Sequence, residues 1–132
     1  MLKAMVRILL AEDDESMRVY LARALERSGY EVISVGTGME ALPHIESDRF
    51  DLLLTDIVMP EMDGIELAQH AASVAPDMRI MFITGFAAVT LKAGKAVPQA
   101  KVLSKPFHLR ELVLEVERMF GSESVPVSTD SP

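Results

Sequence analysis

Five short apolar runs recur along the chain with longer amphipathic stretches between them, and few folds accept that alternation. The runs are residues 6–10, 31–35, 52–55, 80–84 and 101–103. A run that is apolar throughout buries both faces of a strand, whereas a 3.6-residue period buries one stripe of a helix. Alternating the two predicts an α/β domain: a doubly wound, five-stranded parallel sheet with helices packed on it. The helices are expected at 16–28, 38–47, 65–74, 87–93 and 109–120. Met17, Leu21, Ala24 and Leu25 should face inward on the first, which Gly29 ends as a left-handed cap. Met39, Leu42 and Ile45 should be buried on the second, which tolerates Pro43 only if it starts close to that residue. The fourth is weak and should stop at Gly94. Leu109, Leu112, Val113, Val116 and Phe120 form the inward stripe of the last.

A length of 132 residues fits one domain, read here as a folded unit at 1–120 and a disordered tail at 121–132. No tract is apolar enough over sufficient length to cross a bilayer, so no membrane role is expected. The absence of cysteine excludes thiolate chemistry and agrees with a cytoplasmic setting. Twenty acidic against thirteen basic residues give a net charge of −7, a poor match for a nucleic-acid partner.

The strand ends carry the chemistry. In an open parallel sheet, ligands bind beyond the carboxyl ends of the strands, where strand order reverses. Those ends deliver Glu12 and Asp13, then Asp56, then Thr84 with Gly85, and finally Lys105 before Pro106. Three converging carboxylates raise one another's pKa unless a cation joins them. A hard divalent ion resolves the conflict, and Mg2+ suits a site that also holds a phosphoryl group. Asp13 and Asp56 would bind it directly, Glu12 through water, and the backbone carbonyl of Val58 would add a ligand. Asp56 would attack in line and become an acyl phosphate. Lys105 offers a point charge to the phosphoryl oxygens, Thr84 offers a hydroxyl, and Gly85 leaves space beside the backbone. Pro106 would turn the amine inward through a cis bond. The chain therefore reads as a phosphorylation-controlled switch and not as an enzyme.

Each piece has a bland alternative. Glu12 and Asp13 could merely favour a helix start, Asp56 could cap a turn, Thr84 could end a strand, and Lys105 could be a solvated loop residue. Accepting all four at four sheet-consistent positions is much harder. His44, His70 and His108 form no close pair, and without cysteine a zinc site is not expected. The nine methionines read as core filler and soft contact surface.

With those residues in view, the chain resembles the receiver domain of two-component response regulators over about residues 6–120. The markers are Leu10-Ala11-Glu12-Asp13-Asp14-Glu15, Thr55-Asp56-Ile57-Val58-Met59-Pro60-Glu61-Met62-Asp63-Gly64, Thr84-Gly85 and Ser104-Lys105-Pro106-Phe107. The resemblance implies a flavodoxin-like, CheY-like (βα)5 fold with strand order 2-1-3-4-5. It also implies Mg2+ dependence and phosphorylation of Asp56 by a histidine kinase or histidine phosphotransferase. A narrower resemblance rests on Met81-Phe82-Ile83-Thr84-Gly85-Phe86-Ala87-Ala88-Val89 and on Ala100-Lys101-Val102-Leu103-Ser104-Lys105-Pro106-Phe107-His108-Leu109. These are similar to the CpdR-like stand-alone receivers of alphaproteobacterial cell-cycle signalling. That likeness implies an adaptor that, when unphosphorylated, binds the unfoldase ClpX and primes the ClpXP protease for particular substrates. Phosphorylation turns such adaptors off.

Two other readings share the same residues: a phosphate shuttle or sink without an effector, and a small Mg2+-dependent phosphatase. The second would need a lid to enclose its substrate. No second domain is expected, so output must use a surface, for which Phe86, Val89 and Leu114 are candidates. A monomer or weak dimer is expected in the cytoplasm, with recruitment to a cell pole left open. Two features depart from the family pattern. Val102 stands where receivers carry tyrosine, phenylalanine or histidine, and its β-branched side chain cannot make the rotamer swing of an aromatic ring. Ser131-Pro132 is unlike the small apolar end that ClpX recognises on substrates, so degradation of this protein itself is not expected.

Overall fold

The structure, a computed structural model, describes residues 5–124; the expectations for the end of the tail fall on 125–132, outside the described residues. Strands and helices alternate strictly: β1 (Arg7–Ala11), α1 (Glu15–Arg27), β2 (Glu31–Val35), α2 (Gly38–Ser47), β3 (Leu52–Asp56), α3 (Gly64–Val74), β4 (Arg79–Thr84), α4 (Ala87–Ala96), β5 (Lys101–Ser104) and α5 (Leu109–Ser124). All strands are parallel, in the order β2-β1-β3-β4-β5 that the family resemblance implied.

The two-residue period of the strands divides their side chains between two cores. Ile8, Leu10, Leu52, Leu54, Met81 and Ile83 pack with Leu21 and Leu25 of α1 and with Leu112 and Val116 of α5. Leu9, Leu53, Ile80 and Phe82 pack on the opposite face with Ala41, Ile45, Leu67, Ala68, Ala93 and Val97. Leu52, Leu53 and Leu54 are fully buried, as a central strand between two helical layers requires. Burying each contributes roughly 1.5–3 kcal/mol.

Several boundaries differ from expectation. Met39 is 52% exposed, because α2 turns Gly38, Ala41 and Ile45 inward and places Met39 about 100° away from Gly38. Pro43 lies inside α2 beyond its first turn, although the helix starts at Gly38. Its ring removes one N–H, but buried Ala41 and Ile45 flank it and Ser47 Oγ donates to its carbonyl. Gly94 does not end α4; the helix continues until the N–H of Val97 bonds the Ala93 carbonyl, with both residues buried. Helix α5 likewise passes its expected end at Phe120, so residues 121–124, read as tail, are helical. A helix-interior glycine costs only about 1 kcal/mol relative to alanine.

The loop between β3 and α3 is set by a capping box and a close backbone approach. Asp63 Oδ1 accepts from the Glu66 N–H at 2.9 Å, and Glu66 Oε1 accepts from the Asp63 N–H at 3.3 Å. Gly64 donates to the Ile57 carbonyl at 2.8 Å, and a Cβ at Gly64 would collide with the Asp56 carbonyl. Gly64→Ala must therefore shift the backbone of Asp56. The expected outcome is a loss of about 1–3 kcal/mol in chemical denaturation. Wild-type stability would show that the loop can relax away from β3.

Candidate functional site

Strand order reverses between β1 and β3, and the site lies beyond their carboxyl ends. The register pairs Ala11 with Thr55, Asp56 with Ile83, and Thr84 with Ser104. Glu12, Asp56, Thr84 and Lys105 consequently stand near one level of the sheet, each at or one step past a strand end. Backbone bonds extend that order: Glu12 N–H to the Val35 carbonyl at 3.1 Å, and Lys105 N–H to the Thr84 carbonyl at 2.7 Å. The Lys105-Pro106 peptide is cis.

Carboxylate oxygens of Glu12, Asp13 and Asp56 lie within 4.8 Å of one another. Glu12 and Asp56 are buried, whereas Asp13 is exposed. Lys105 Nζ stands 3.7 Å from Asp56 Oδ2 and 3.9 Å from Glu12 Oε1. These are ion-pair separations too long for hydrogen bonds. Glu12 Oε2 accepts from the Asp14 N–H at 3.1 Å, but Glu12 Oε1 is buried with no hydrogen-bond partner. An orphaned buried oxygen beside two further carboxylates fits a divalent cation, and an all-oxygen donor set suits Mg2+.

Electrostatics point the same way. Burial pushes the Glu12 carboxyl up to about 7, opposed by the Asp14 N–H and reinforced by the Asp56 charge. Burial also raises Asp56, while Lys105 and the N–H groups of Ile57 and Val58 favour its ionised form. Two carboxyls thus resist ionising together until a cation joins them.

Thr84 is buried, its Oγ1 accepting from the Phe86 N–H at 3.0 Å and lying 3.5 Å from the Phe86 carbonyl. At Gly85 a Cβ would rest 3.9 Å from the Lys105 side chain, so the glycine keeps that flank open. Phe86 and Val58 are exposed, and Leu114 is exposed on α5. Val89 is not: it is partly buried against the core, because α4 turns it toward the sheet. Leu91, 68% exposed, is the larger apolar side chain on that helix; it lies within the expected span 87–93 but was not singled out for the surface. Arg18 was also missed. Its Nη1 donates to the Glu12 carbonyl at 2.8 Å, and no sequence signal separates such an arginine from a solvated one on α1. The histidines do not converge: His44 pairs with Asp48 and His70 with Glu46.

The sign of the pH dependence follows. A free Glu12 side chain loses its proton near 4.5, whereas in the folded protein it keeps it up to about 7. The folded state therefore holds the extra proton, and metal-free stability falls across that window and levels off above it. Glu12→Gln should flatten this fall in a Tm-versus-pH series. The Tm gain from added Mg2+ should grow over the same window. A Mg2+ effect equal at both ends would contradict the shared-ion geometry.

Comparison with known proteins agrees with this arrangement. The response regulator receiver domain family matches residues 8–117. The "Response regulator receiver protein CpdR" of Brucella abortus is 60% identical over 116 residues, covering 87% of this chain and 97% of that protein. The "DNA-binding transcriptional regulator NtrC" of Azospirillum brasilense is 35% identical over 92% of this chain but only 25% of its own length. Among solved structures, a CheY-like receiver of Methanospirillum hungatei superposes with a TM-score of 0.83 at 30% identity, covering 92% of this chain and 98% of that one. TrrA of Thermotoga maritima, solved in complex with Mg(2+)-BeF, gives 0.81 at 29% identity over 88% and 100%. Fold, strand-end chemistry and sequence agree, and the chain belongs to the response regulator receiver family.

Proposed function

We propose that the chain is a stand-alone receiver that takes a phosphoryl group onto Asp56 and works as a phosphorylation-controlled adaptor for a ClpX-type unfoldase. The observation that carries the first half is the convergence of Glu12, Asp13 and Asp56 within 4.8 Å with Lys105 Nζ beside Asp56. The likeness to CpdR, over nearly the whole of that relative, supports the second half.

In this reading an Asp56 oxygen attacks phosphorus in line with the phosphohistidine nitrogen of a kinase or phosphotransferase. The P–O bond forms as the P–N bond breaks, and the electron pair stays on the imidazole. Asp13, Asp56 and the Val58 carbonyl would hold Mg2+, with Glu12 reaching it through a water, and the ion would supply positive charge against the negative charge gathered there. Lys105 neutralises a phosphoryl oxygen. Thr84 turns its hydroxyl proton from the Phe86 carbonyl to the new group, and Gly85 leaves room for it. The added charge, roughly −1.5 to −2, is the driving term. Because Phe86 precedes α4, its movement displaces the exposed apolar side chains of Phe86 and Leu91, which serve as the contact for the effector.

Asp56→Ala should abolish acid-stable incorporation of phosphate from acetyl phosphate while retaining the fold. The same variant should hold ClpX in a pull-down whether or not phosphodonor is present, whereas wild type should release it on phosphorylation. Full incorporation by Asp56→Ala would overturn the site. Capture of phosphotransfer proteins alone would favour a phosphate shuttle.

Val58 and Phe86 flank the site with exposed apolar side chains that cannot orient an attacking water. A long-lived phosphoaspartate is expected, since water positioning is much of what hydrolysis requires. The Val58→Asn, Phe86→Gln double variant should shorten its lifetime several-fold. An unchanged decay rate would remove that explanation.

A further inference from the structure

We infer that Arg18 is a positioning residue for the acidic pair: it grips the Glu12–Asp13 peptide so that the Asp13 carboxylate can share a cation with Asp56. This rests on the reading of the site given above. Arg18 Nη1 donates to the Glu12 carbonyl oxygen at 2.8 Å. That carbonyl belongs to the planar peptide leading into Asp13, so its orientation sets where Asp13 stands.

The rest of Glu12 is held independently. Its N–H bonds the Val35 carbonyl at 3.1 Å, and its Oε2 takes the Asp14 N–H at 3.1 Å. Asp14 caps α1 through the Met17 N–H at 2.9 Å, and its carbonyl accepts the Arg18 N–H at 2.8 Å. Asp13 is thus the exposed member between two pinned residues, and the guanidinium fixes the peptide plane that joins it to Glu12.

Gly36 makes this reach feasible. A Cβ there would lie 3.1 Å from Arg18 Nη1 and 3.6 Å from Glu40 Oε1. The Gly36 N–H donates to that Glu40 oxygen at 2.8 Å. Gly36 has no left-handed φ, so alanine could adopt its backbone, and the close approach of the guanidinium is what the missing Cβ permits. The effect is geometric: the charges that act on the Glu12 carboxyl are those of Asp56, Lys105 and Asp13.

The test measures Mg2+ affinity of the unphosphorylated protein by titration calorimetry, beside its metal-free Tm. Arg18→Ala should weaken the Mg2+ Kd roughly tenfold, as loss of an outer-shell partner does. The Mg2+ concentration that half-saturates phosphorylation by acetyl phosphate should rise in step, with the rate at saturating Mg2+ within about twofold of wild type. Arg18→Lys should recover most of the affinity. Gly36→Ala should weaken binding with Arg18 present and add nothing in the Arg18→Ala background. A residue that only stabilises α1 would lower the metal-free Tm and leave the Kd alone. Equal Kd values for wild type and Arg18→Ala, or additive effects of the two substitutions, would overturn the inference. If Arg18→Ala fails to fold, Arg18→Met, which keeps the stem without the donor, and Gly36→Ala should each weaken the Mg2+ Kd, and wild-type values for both would overturn the inference. Absence of Mg2+ binding by wild type would overturn the reading of the site instead.

Discussion

Carboxylates are placed at the end of strands that offer them almost no water, and the rest of the carboxyl edge answers that one constraint. β3 is buried from Leu52 to Asp56, and Glu12 is only 1% exposed directly after buried Ala11. A buried charge persists only when paired, hydrogen-bonded or neutralised by an ion. Each device is present in part: Lys105 at ion-pair distance, backbone N–H groups of Ile57 and Val58 that favour ionised Asp56, and Asp14 N–H on Glu12. None completes the job, since Glu12 Oε1 keeps no hydrogen-bond partner. The sheet therefore maintains a standing electrostatic deficit that a divalent ion would relieve. Such a deficit costs stability, which is why the two dense apolar cores on either side of the sheet matter to function.

The backbone near the site is equally constrained. Gly64 folds the β3–α3 loop back onto the Asp56 carbonyl, while Gly38 at the start of α2 approaches the Met62 carbonyl so that a Cβ would lie 2.9 Å away. Neither position has room for a side chain. Rigid placement of this kind holds reacting groups within the few tenths of an ångström that in-line transfer requires.

The strands and the polar groups at their ends were legible because each rests on a local signal: an apolar run, a terminal acid, a glycine or a lysine before proline; strand order came only with the family resemblance. What escaped depended on helix phase or on neighbours distant in sequence. Met39 looked inward by hydrophobicity, yet the helix is phased by Gly38, Ala41 and Ile45. Gly94 looked like a stop, yet Ala93 and Val97 are buried on either side of it and carry α4 onward. Val89, expected at the surface, packs against the core because α4 turns it toward the sheet. Arg18 escaped for a different one, since its partner is a backbone carbonyl six residues back and no composition rule marks that pairing.

The route from site to surface follows from Val102. That residue is partly buried against the core and, unlike an aromatic ring, has no large side chain to swing between pockets. Thr84 is tied instead to the backbone of Phe86, which is the N-cap of α4 and gives that helix no side-chain cap. A helix start without a cap is stabilised less by about 1 kcal/mol than one with a capping side chain. Thr90 Oγ1 on the same helix is buried without a hydrogen-bond partner, a further small cost. Under the proposed reading, drawing the Thr84 hydroxyl toward a phosphoryl oxygen pulls directly on the least secured end of α4. Phe86 and Leu91 then move with the backbone, so the signal needs no rotamer relay through β5. On that reading, a main-chain linkage of this kind would let a receiver lack the aromatic and keep the switch.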